Sequence, residues 1–144
     1  MKVVEILEVS VEELYKVILE SLVNEIKEVH PRIKEDKIVE GYKYKKKMVG
    51  KLKQSSECSV KIKKLVENKE YLVHIDSDRG LTTVNYILEE VEHGVRVIYE
   101  EDFISKEKIN NLNHKLMMFF YKRSSAKKMR KKLFDIEKYI ISNR

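Results

Sequence analysis

Four tyrosines stand in segments whose apolar residues recur at every second position. Tyr42 and Tyr44 share one such segment, while Tyr86 and Tyr99 each fall in a later one. Side chains at alternate positions of a strand point to one face, so these four rings are expected on the covered side of a sheet. Buried tyrosine hydroxyls need hydrogen-bond partners, and a ligand pocket with an apolar wall and a few polar groups is one way to supply them. The alternative is a filled core in which the hydroxyls reach the rim.

The C-terminal segment is predicted to close this tyrosine face. Ser105 is interpreted as an N-cap, and the helical period continues to about Ile141, with a bend expected at Tyr121–Ser125. One side of this helix carries Leu112, Leu116, Phe119, Ala126, Met129, Leu133, Ile136 and Ile140. The candidate ligand-binding residues are Tyr42, Tyr44, Tyr86, Tyr99 and Phe120, with His114 as a polar contact.

Metal binding has no support in the sequence. The four histidines are scattered, and no pair has the spacing of a zinc site. The segment Asp76-Ser77-Asp78-Arg79-Gly80 resembles part of a calcium loop, but an EF-hand requires glycine one position later and glutamate where Ile87 stands. We interpret the segment as a hairpin turn and expect neither a metal nor a cofactor.

Catalytic chemistry is not expected either. Cys58 has lysines nearby in sequence that could lower a thiol pKa, but an inert buried cysteine is the commoner outcome. The sequence contains no G-x-S-x-G, S-x-x-K or glycine-rich phosphate loop. A carboxylate of Glu100-Glu101-Asp102 could act as a general base if it pointed into a cavity, although solvated charges are the preferred interpretation. We assign no catalytic residue and predict a protein that is not an enzyme.

Two basic tracts support a second hypothesis, an anionic partner. Residues 43–53 hold six lysines and residues 122–132 hold seven basic residues, both without an acid, in a chain of net charge +6. Such tracts bind nucleic acid or anionic membrane surfaces. Lysine dominates, and no aromatic residue interleaves the second tract to stack bases, so solvated charge is the preferred interpretation.

The elements that would hold these residues follow from periodicity and caps. A strand over Lys2–Val9 precedes a helix over about Val11–Val29, which begins with Ser10 and Glu13 in the spacing of a capping box. Alternation then predicts five strands, over Ile38–Met48, Ser59–Glu67, Tyr71–Ser77, Leu81–Glu89 and Val95–Phe103. Hairpin-sized links make them an antiparallel meander. The order β-α-β-β-β-β-β-α, with a curved sheet packed on a long C-terminal helix, is that of the α+β helix-grip fold of the START and birch-pollen-allergen superfamily.

Length and composition fit one domain spanning residues 1–144. The chain has 144 residues, of which 42% are hydrophobic and 38% charged, without repeats or low-complexity segments. The longest apolar run, Leu116–Tyr121, is far shorter than the roughly 20 residues that span a bilayer. Charges interrupt the N-terminal segment, which is not expected of a secretory signal, and the single Cys58 fits a reducing compartment. We expect a cytoplasmic protein.

The sequence resembles a small bacterial family described as domain of unknown function 3284. The likeness is carried by Lys2–Val9 leading into Tyr15, by Glu40-Gly41-Tyr42-x-Tyr44-x-Lys46-Lys47, by Lys61-Ile62-x-Lys64-Leu65-x-Glu67-Asn68, by Thr83-Val84-x-Tyr86, by Tyr99-x-Glu101, and by Lys127-Lys128-Met129 with Ile136-Glu137. The resemblance covers nearly the whole chain and implies a helix-grip-like fold in low-GC Gram-positive bacteria. It implies no established activity, and therefore no catalytic residues.

The preferred hypothesis is a non-enzymatic module that binds a small hydrophobic or amphipathic ligand between the sheet and the C-terminal helix. It depends on the inward tyrosines and on the fold. The alternative is a binder of anionic surfaces, nucleic acid or membrane, through residues 43–53 and 122–132.

Overall fold

The structure is a computed structural model. The structure describes residues 1–49, 55–106 and 112–144, except for the side chains of residues 48, 49, 55, 112–114, 116–118 and 120. The elements are β1 (Lys2–Leu7), α1 (Val11–Val29), a 3-10 turn (Glu35–Lys37), β2 (Lys43–Val49), β3 (Ser55–Val66), β4 (Glu70–Asp76), β5 (Gly80–Val91), β6 (Gly94–Ser105) and α2 (Leu112–Ser142). The predicted order is confirmed. β2 begins later than the predicted Ile38, because a turn precedes it, in which the Tyr42 N–H donates to the Val39 carbonyl at 3.0 Å and Gly41 has a positive φ of 91°.

The six strands form one antiparallel sheet in the order β1-β6-β5-β4-β3-β2. β1 pairs with β6, so β1 and β2 are the two edges. Asn68 and His93 make the tight turns before β4 and β6, with positive φ of 60° and 66°. Gly94 allows the chain to approach β1 closely, because a Cβ there would lie 2.1 Å from the carbonyl oxygen of Leu7.

Alternation along the strands decides which face of the curved sheet is covered. In β3, Val60 and Ile62 are buried whereas Lys63 is exposed, and in β6 Val95 and Val97 are buried. The buried side chains belong to the concave face, against which both helices pack. The two-residue period of the sequence therefore corresponds to one covered and one uncovered face, as predicted.

The first helix has the predicted bounds and the predicted N-terminal cap. The Ser10 hydroxyl accepts a hydrogen bond from the Glu13 N–H at 3.1 Å, and the Ser10 N–H donates to Glu13 Oε1 at 3.0 Å. The buried stripe consists of Val11, Leu14, Tyr15, Ile18, Leu22 and Ile26. Val29 does not belong to this stripe, contrary to expectation, because it lies in the last turn and is 38% exposed.

The second helix differs from the prediction at its start and in its middle. Ser105 is not an N-cap: it is the last residue of β6 and pairs with Gly80, because the β5–β6 ladder continues over twelve residue pairs. The helix runs without interruption through the stretch where a bend is expected from the sequence. Phe119, predicted to lie on the packing side, is 60% exposed, whereas Met129 and Leu133 are buried in a cluster with residues of β1 and α1.

Glu13 connects the first turn of α1 to Arg144, which follows the end of α2. Besides its role in the cap, its carboxylate accepts hydrogen bonds from Arg144 Nε at 3.2 Å and Nη2 at 3.1 Å. The Arg144 guanidinium and the Ser10 backbone lower the pKa of Glu13 from 4.5 to about 2. The charged carboxylate is therefore the form that the fold stabilises.

We expect Glu13→Gln to make the stability of the protein less dependent on acid pH. A carboxylate whose pKa is lowered on folding stabilises the folded state fully above its unfolded pKa and loses that contribution as the pH falls through the folded pKa. The difference in unfolding free energy between wild type and variant should be largest at neutral pH and should shrink between about pH 4.5 and about 2. Urea unfolding at a series of pH values measures it, with the exposed Glu12→Gln as a control from the same helical turn. A difference that stays constant down to pH 2 would contradict this linkage.

Candidate ligand-binding site

The core consists of two fully buried clusters with a half-buried region between them. One cluster joins β1, β5 and β6 to α2 and to the first half of α1, and the other joins β2, β3 and β4 to the second half of α1. Leu65, Tyr71 and Val84 are only partly buried and pack against both clusters, and Tyr86 packs against the first. We call these four residues the central strip. Its four residues are all only partly buried among the described residues.

Three tyrosines cross the central strip from strand to strand. Tyr71, Tyr86 and Tyr99 are partners in the registers of β4–β5 and β5–β6. The rings of Tyr71 and Tyr86 are stacked with centroids 6.1 Å apart, and Tyr86 meets Tyr99 edge to face at 4.9 Å. Aromatic pairs in these geometries add about 0.5–1.5 kcal/mol beyond their burial. The row is therefore a fixed aromatic wall.

The hydroxyls of this row differ in their partners. Tyr99 is 6% exposed, and its hydroxyl makes a long contact of 3.4 Å with Glu101 Oε1. In the described part of the chain, the Tyr71 and Tyr86 hydroxyls have no hydrogen-bond partner. Burial and then the charge of Glu101 raise the pKa of Tyr86 to about 12. Burial, followed by the charge of Glu25, raises the pKa of Tyr71 as well. Both hydroxyls therefore keep their protons at neutral pH and can donate them to an acceptor.

A second polar group lies where α1 passes over β2. The Tyr44 hydroxyl donates a short hydrogen bond to Glu25 Oε2, and Lys46 Nζ donates to Glu25 Oε1 at 2.7 Å. Tyr44 is only 3% exposed, and burial together with the bond to Glu25 raises its pKa far above the usual value. Lys46 keeps 23% of its side chain exposed and Glu25 keeps 37%. The Glu25–Lys46–Tyr44 group therefore satisfies its own charges and hydrogen bonds and still reaches solvent.

The structure places the predicted site residues in two groups. Tyr86 and Tyr99 lie in the aromatic row, whereas Tyr42 and Tyr44 pair with each other, ring centroids 6.1 Å apart, near Glu25. The side chains of His114 and Phe120 lie outside the described residues.

Sequence reasoning misses three residues of this region, namely Tyr71, Glu25 and Lys46. Tyr71 alternates with Val73, and that pattern could have added it to the site. Lys46 follows Tyr44 by two residues, so the same alternation could have placed it on the inner face. No sequence signal identifies Glu25 as its partner.

The other candidate groups are separated by the two faces of the sheet. Glu101 follows Tyr99 by two residues and faces the concave side near Tyr86. Glu100 faces the opposite side, where its carboxylate pairs with Lys2 Nζ at 3.9 Å. His74 also lies on the convex face; burial and the charges of the nearby lysines lower its pKa. Among the described residues, no group of His, Cys, Asp or Glu could hold a metal ion.

The two basic tracts lie at opposite edges of the sheet. In the first, Lys43, Lys45 and Lys47 are exposed on β2, while Lys46 turns inward to Glu25; positions 50–53 lie outside the described residues. The second tract is on α2, which packs against β1 at the far edge. The two tracts therefore do not form one continuous basic patch among the described residues.

Comparison with known proteins identifies the family. The family model described as Domain of unknown function (DUF3284) matches residues 1–122. The chain belongs to this family. A search of curated proteins found no match to this DUF3284 member.

Solved structures share the fold of this DUF3284 domain over almost its whole length. Ara h 8.0201 has a TM-score of 0.63 at 15% identity, covering 99% of this chain and 97% of its own. SA2116 from Staphylococcus aureus, a protein of unknown function, has a TM-score of 0.68 at 16% identity, with coverage of 99% and 93%. TTHA0849 from Thermus thermophilus has a TM-score of 0.62 at 10% identity, with coverage of 99% and 97%. These likenesses confirm the helix-grip fold of the birch-pollen-allergen type. Neither described helix is both long enough and apolar enough to cross a membrane.

We expect Cys58 to be unreactive in the native DUF3284 domain. The thiol is 2% exposed, and burial raises its pKa despite the nearby charge of Lys46. Because the thiolate is the reactive form, both effects slow attack on a disulfide reagent. A chromogenic aryl disulfide should therefore react slowly in buffer and rapidly in denaturant, where free cysteine serves as the rate standard. Native-state reaction at the rate of free cysteine would show that Cys58 is accessible and that this wall of the core is open.

Proposed function

We propose that the chain is a non-enzymatic module that binds a small hydrophobic or amphipathic molecule between the concave face of the sheet and α2. The observation that carries this proposal is the pair of Tyr71 and Tyr86 hydroxyls in the half-buried central strip, which have no hydrogen-bond partner among the described residues. Ligand sites are typically apolar surfaces with a few placed polar groups. A ligand oxygen lying across the strip would accept a hydrogen bond from both hydroxyls, while its apolar part would contact Leu65 and Val84.

The two ends of the aromatic row favour an amphipathic ligand over a hydrocarbon. Glu25 and Lys46 lie near the Tyr71 end, and Glu101 lies near the Tyr99 end. Polar groups of a ligand would exchange hydrogen bonds with these side chains at either end of an apolar middle. Because the Glu25–Lys46 pair is internally neutral, a neutral ligand would not leave an unpaired charge beside it.

The fold supports this proposal without deciding it. Helix-grip domains of the birch-pollen-allergen type commonly bind hydrophobic ligands. A shared fold nevertheless hosts different functions, so the proposal depends on the residues of the strip. We also propose that the protein is not an enzyme and acts in the cytoplasm. Near the strip, the described carboxylates Glu25 and Glu101 each contact a tyrosine hydroxyl and Tyr86 stays neutral, and the single cysteine fits a reducing compartment.

Thermal melting in the presence of lipids, sterol-like compounds and sugar phosphates tests the binding proposal. We expect at least one apolar compound with an oxygen acceptor to raise the melting temperature. Tyr71→Phe and Tyr86→Phe should each lower the binding affinity for that compound by about two- to tenfold, because a lost hydrogen bond costs roughly 0.5–1.5 kcal/mol.

The matched control is Tyr139→Phe, which removes the same hydroxyl from a ring on α2 that is 57% exposed. Affinity unchanged in both strip variants would show that the ligand lies elsewhere. No stabilising compound, together with a filled interior in an experimental structure, would rule out the pocket.

A second candidate function is binding of a polyanion through the convex face of β2 and β3. Lys43 stands directly opposite Lys61, so the register places two like charges side by side on neighbouring strands. Like charges in this position destabilise a sheet unless an anion neutralises them. Glu57 offsets part of this charge, with 3.9 Å between its Oε1 and Lys45 Nζ.

Gel shifts with duplex DNA at two salt concentrations test this second candidate. Counterion release predicts binding at low salt that weakens steeply at high salt. The double variant Lys43→Gln/Lys61→Gln should weaken it, whereas Lys127→Gln/Lys128→Gln on α2 should not. Absence of binding at low salt, or loss only in the α2 variant, would eliminate this surface.

A further inference from the structure

A groove lies along the flank of α1 opposite to Glu25. Its volume is about 570 Å³, within the range of small-molecule sites. Its apolar wall is formed by Leu19 and Val23 of α1, Ile38 from the link that follows the 3-10 turn, and Leu65 of β3. No function assigned above uses this space.

Helical spacing separates the groove from the proposed ligand site. Tyr15, Leu19 and Val23 line the groove and follow one another at intervals of four residues, so they form one flank of α1. Glu25 follows Val23 by two residues, about 200° further around a helix that turns ~100° per residue. Glu25 therefore lies on the opposite flank, where it contacts Tyr44 and Lys46. Leu65 is the residue that the groove shares with the central strip.

The charged groups that line the groove are all acidic. They are Glu35, Glu40 and Glu67, and none of the described lining residues is basic. Glu40 Oε1 accepts a hydrogen bond from the Leu65 N–H at 3.1 Å, and Glu35 has an exposed partner in Lys27, 3.7 Å away. A wholly acidic lining is unexpected in a chain of net charge +6. It gives the groove the opposite sign to the protein as a whole.

A largely buried tyrosine also lines the groove. Tyr15 is only 8% exposed and lines the groove with the remainder of its ring packed in the core. Its hydroxyl has no hydrogen-bond partner within the described ranges. Burial and the charge of Glu67 raise its pKa, which keeps the oxygen neutral and able to accept a hydrogen bond. The phenol thus adds a polar contact at the inner end of an otherwise apolar wall.

We propose that this groove binds a small organic cation with an apolar body, such as an alkylammonium. The ammonium group would lie among Glu35, Glu67 and the Tyr15 hydroxyl, and the hydrocarbon would lie along Leu19, Val23 and Ile38. Charge complementarity selects this class, because an anion would meet three carboxylates of the lining, whereas Lys27, the partner of Glu35, is exposed outside that lining. The groove site shares Leu65 with the proposed ligand site, but its carboxylates lie apart from the Tyr71 and Tyr86 hydroxyls on which the proposed function depends.

Methyl NMR with decylammonium as the probe tests the location and the charge selectivity. The apolar wall consists of residues with methyl groups, so each wall residue reports directly. We expect decylammonium to shift the methyl signals of Leu19, Val23 and Ile38, and we expect decanoate of similar length to leave them in place. Equal effects of the cation and the anion would overturn the proposal, as would shifts confined to Val84 of the central strip.

Variants separate the groove from the central strip. Glu35→Gln and Glu67→Gln should each lower the binding affinity for decylammonium by about two- to fivefold, which is the effect expected of a solvent-exposed ion pair. Glu28→Gln, at an exposed position of α1 outside the groove, is the control of equal charge and should have no effect. Tyr86→Phe should also have no effect. A loss caused by Tyr86→Phe but not by the glutamate variants would place the probe in the central strip, which would overturn the groove site while leaving the proposed function standing.

Discussion

The strands of this sheet are longer than a helix is wide, and this mismatch determines where open space arises. β3, β5 and β6 have twelve residues each, about 40 Å at ~3.3 Å per residue. A helix with its side chains is about 10–12 Å across. α1 lies toward one end of the strands, near Glu67 and the turn at His93. It therefore covers only a fraction of the concave face, and α2 or a ligand must cover the rest.

The central strip is half-buried because the two helices cover different parts of the concave face. α2 buries Met129 and Leu133 at the β1 edge, and the second half of α1 buries Leu22 and Ile26 toward the β2 edge. The middle strands, β4 and β5, lie between these two contacts. Their inward residues need to tolerate both an apolar neighbour and solvent, and tyrosine does so because its ring is apolar and its hydroxyl is polar.

Most of the architecture could be predicted because burial on one face imposes a two-residue period that the sequence displays directly. The bounds of α1 were also predictable, since Ser10 and Glu13 form a local cap whose geometry depends on few other residues. The start of α2 could not be predicted. Ser105 is of a residue type that commonly caps helices, but in the structure it pairs with Gly80 in the sheet. Pairing along the β5–β6 ladder prevailed over local propensity, as tertiary context commonly does.

The site was only partly predictable, for a related reason. Alternation indicates which side chains point inward, and so it identified the tyrosines, but it does not indicate which inward residues meet across different elements. Tyr44 is expected from the sequence to line a pocket, yet its hydroxyl is bonded to Glu25, which lies on a helix nineteen residues earlier in the chain. That long-range pairing neutralises one end of the strip, and among the residues that the structure describes Tyr71 and Tyr86 remain its donors without a partner. On the other flank of α1, the described lining of the groove contains Glu35 and Glu67 but no lysine, and the Lys27 partner of Glu35 is exposed outside it. One helix thus separates a neutral, hydrogen-bonding surface from an anionic one, because residues two positions apart in its sequence face opposite sides.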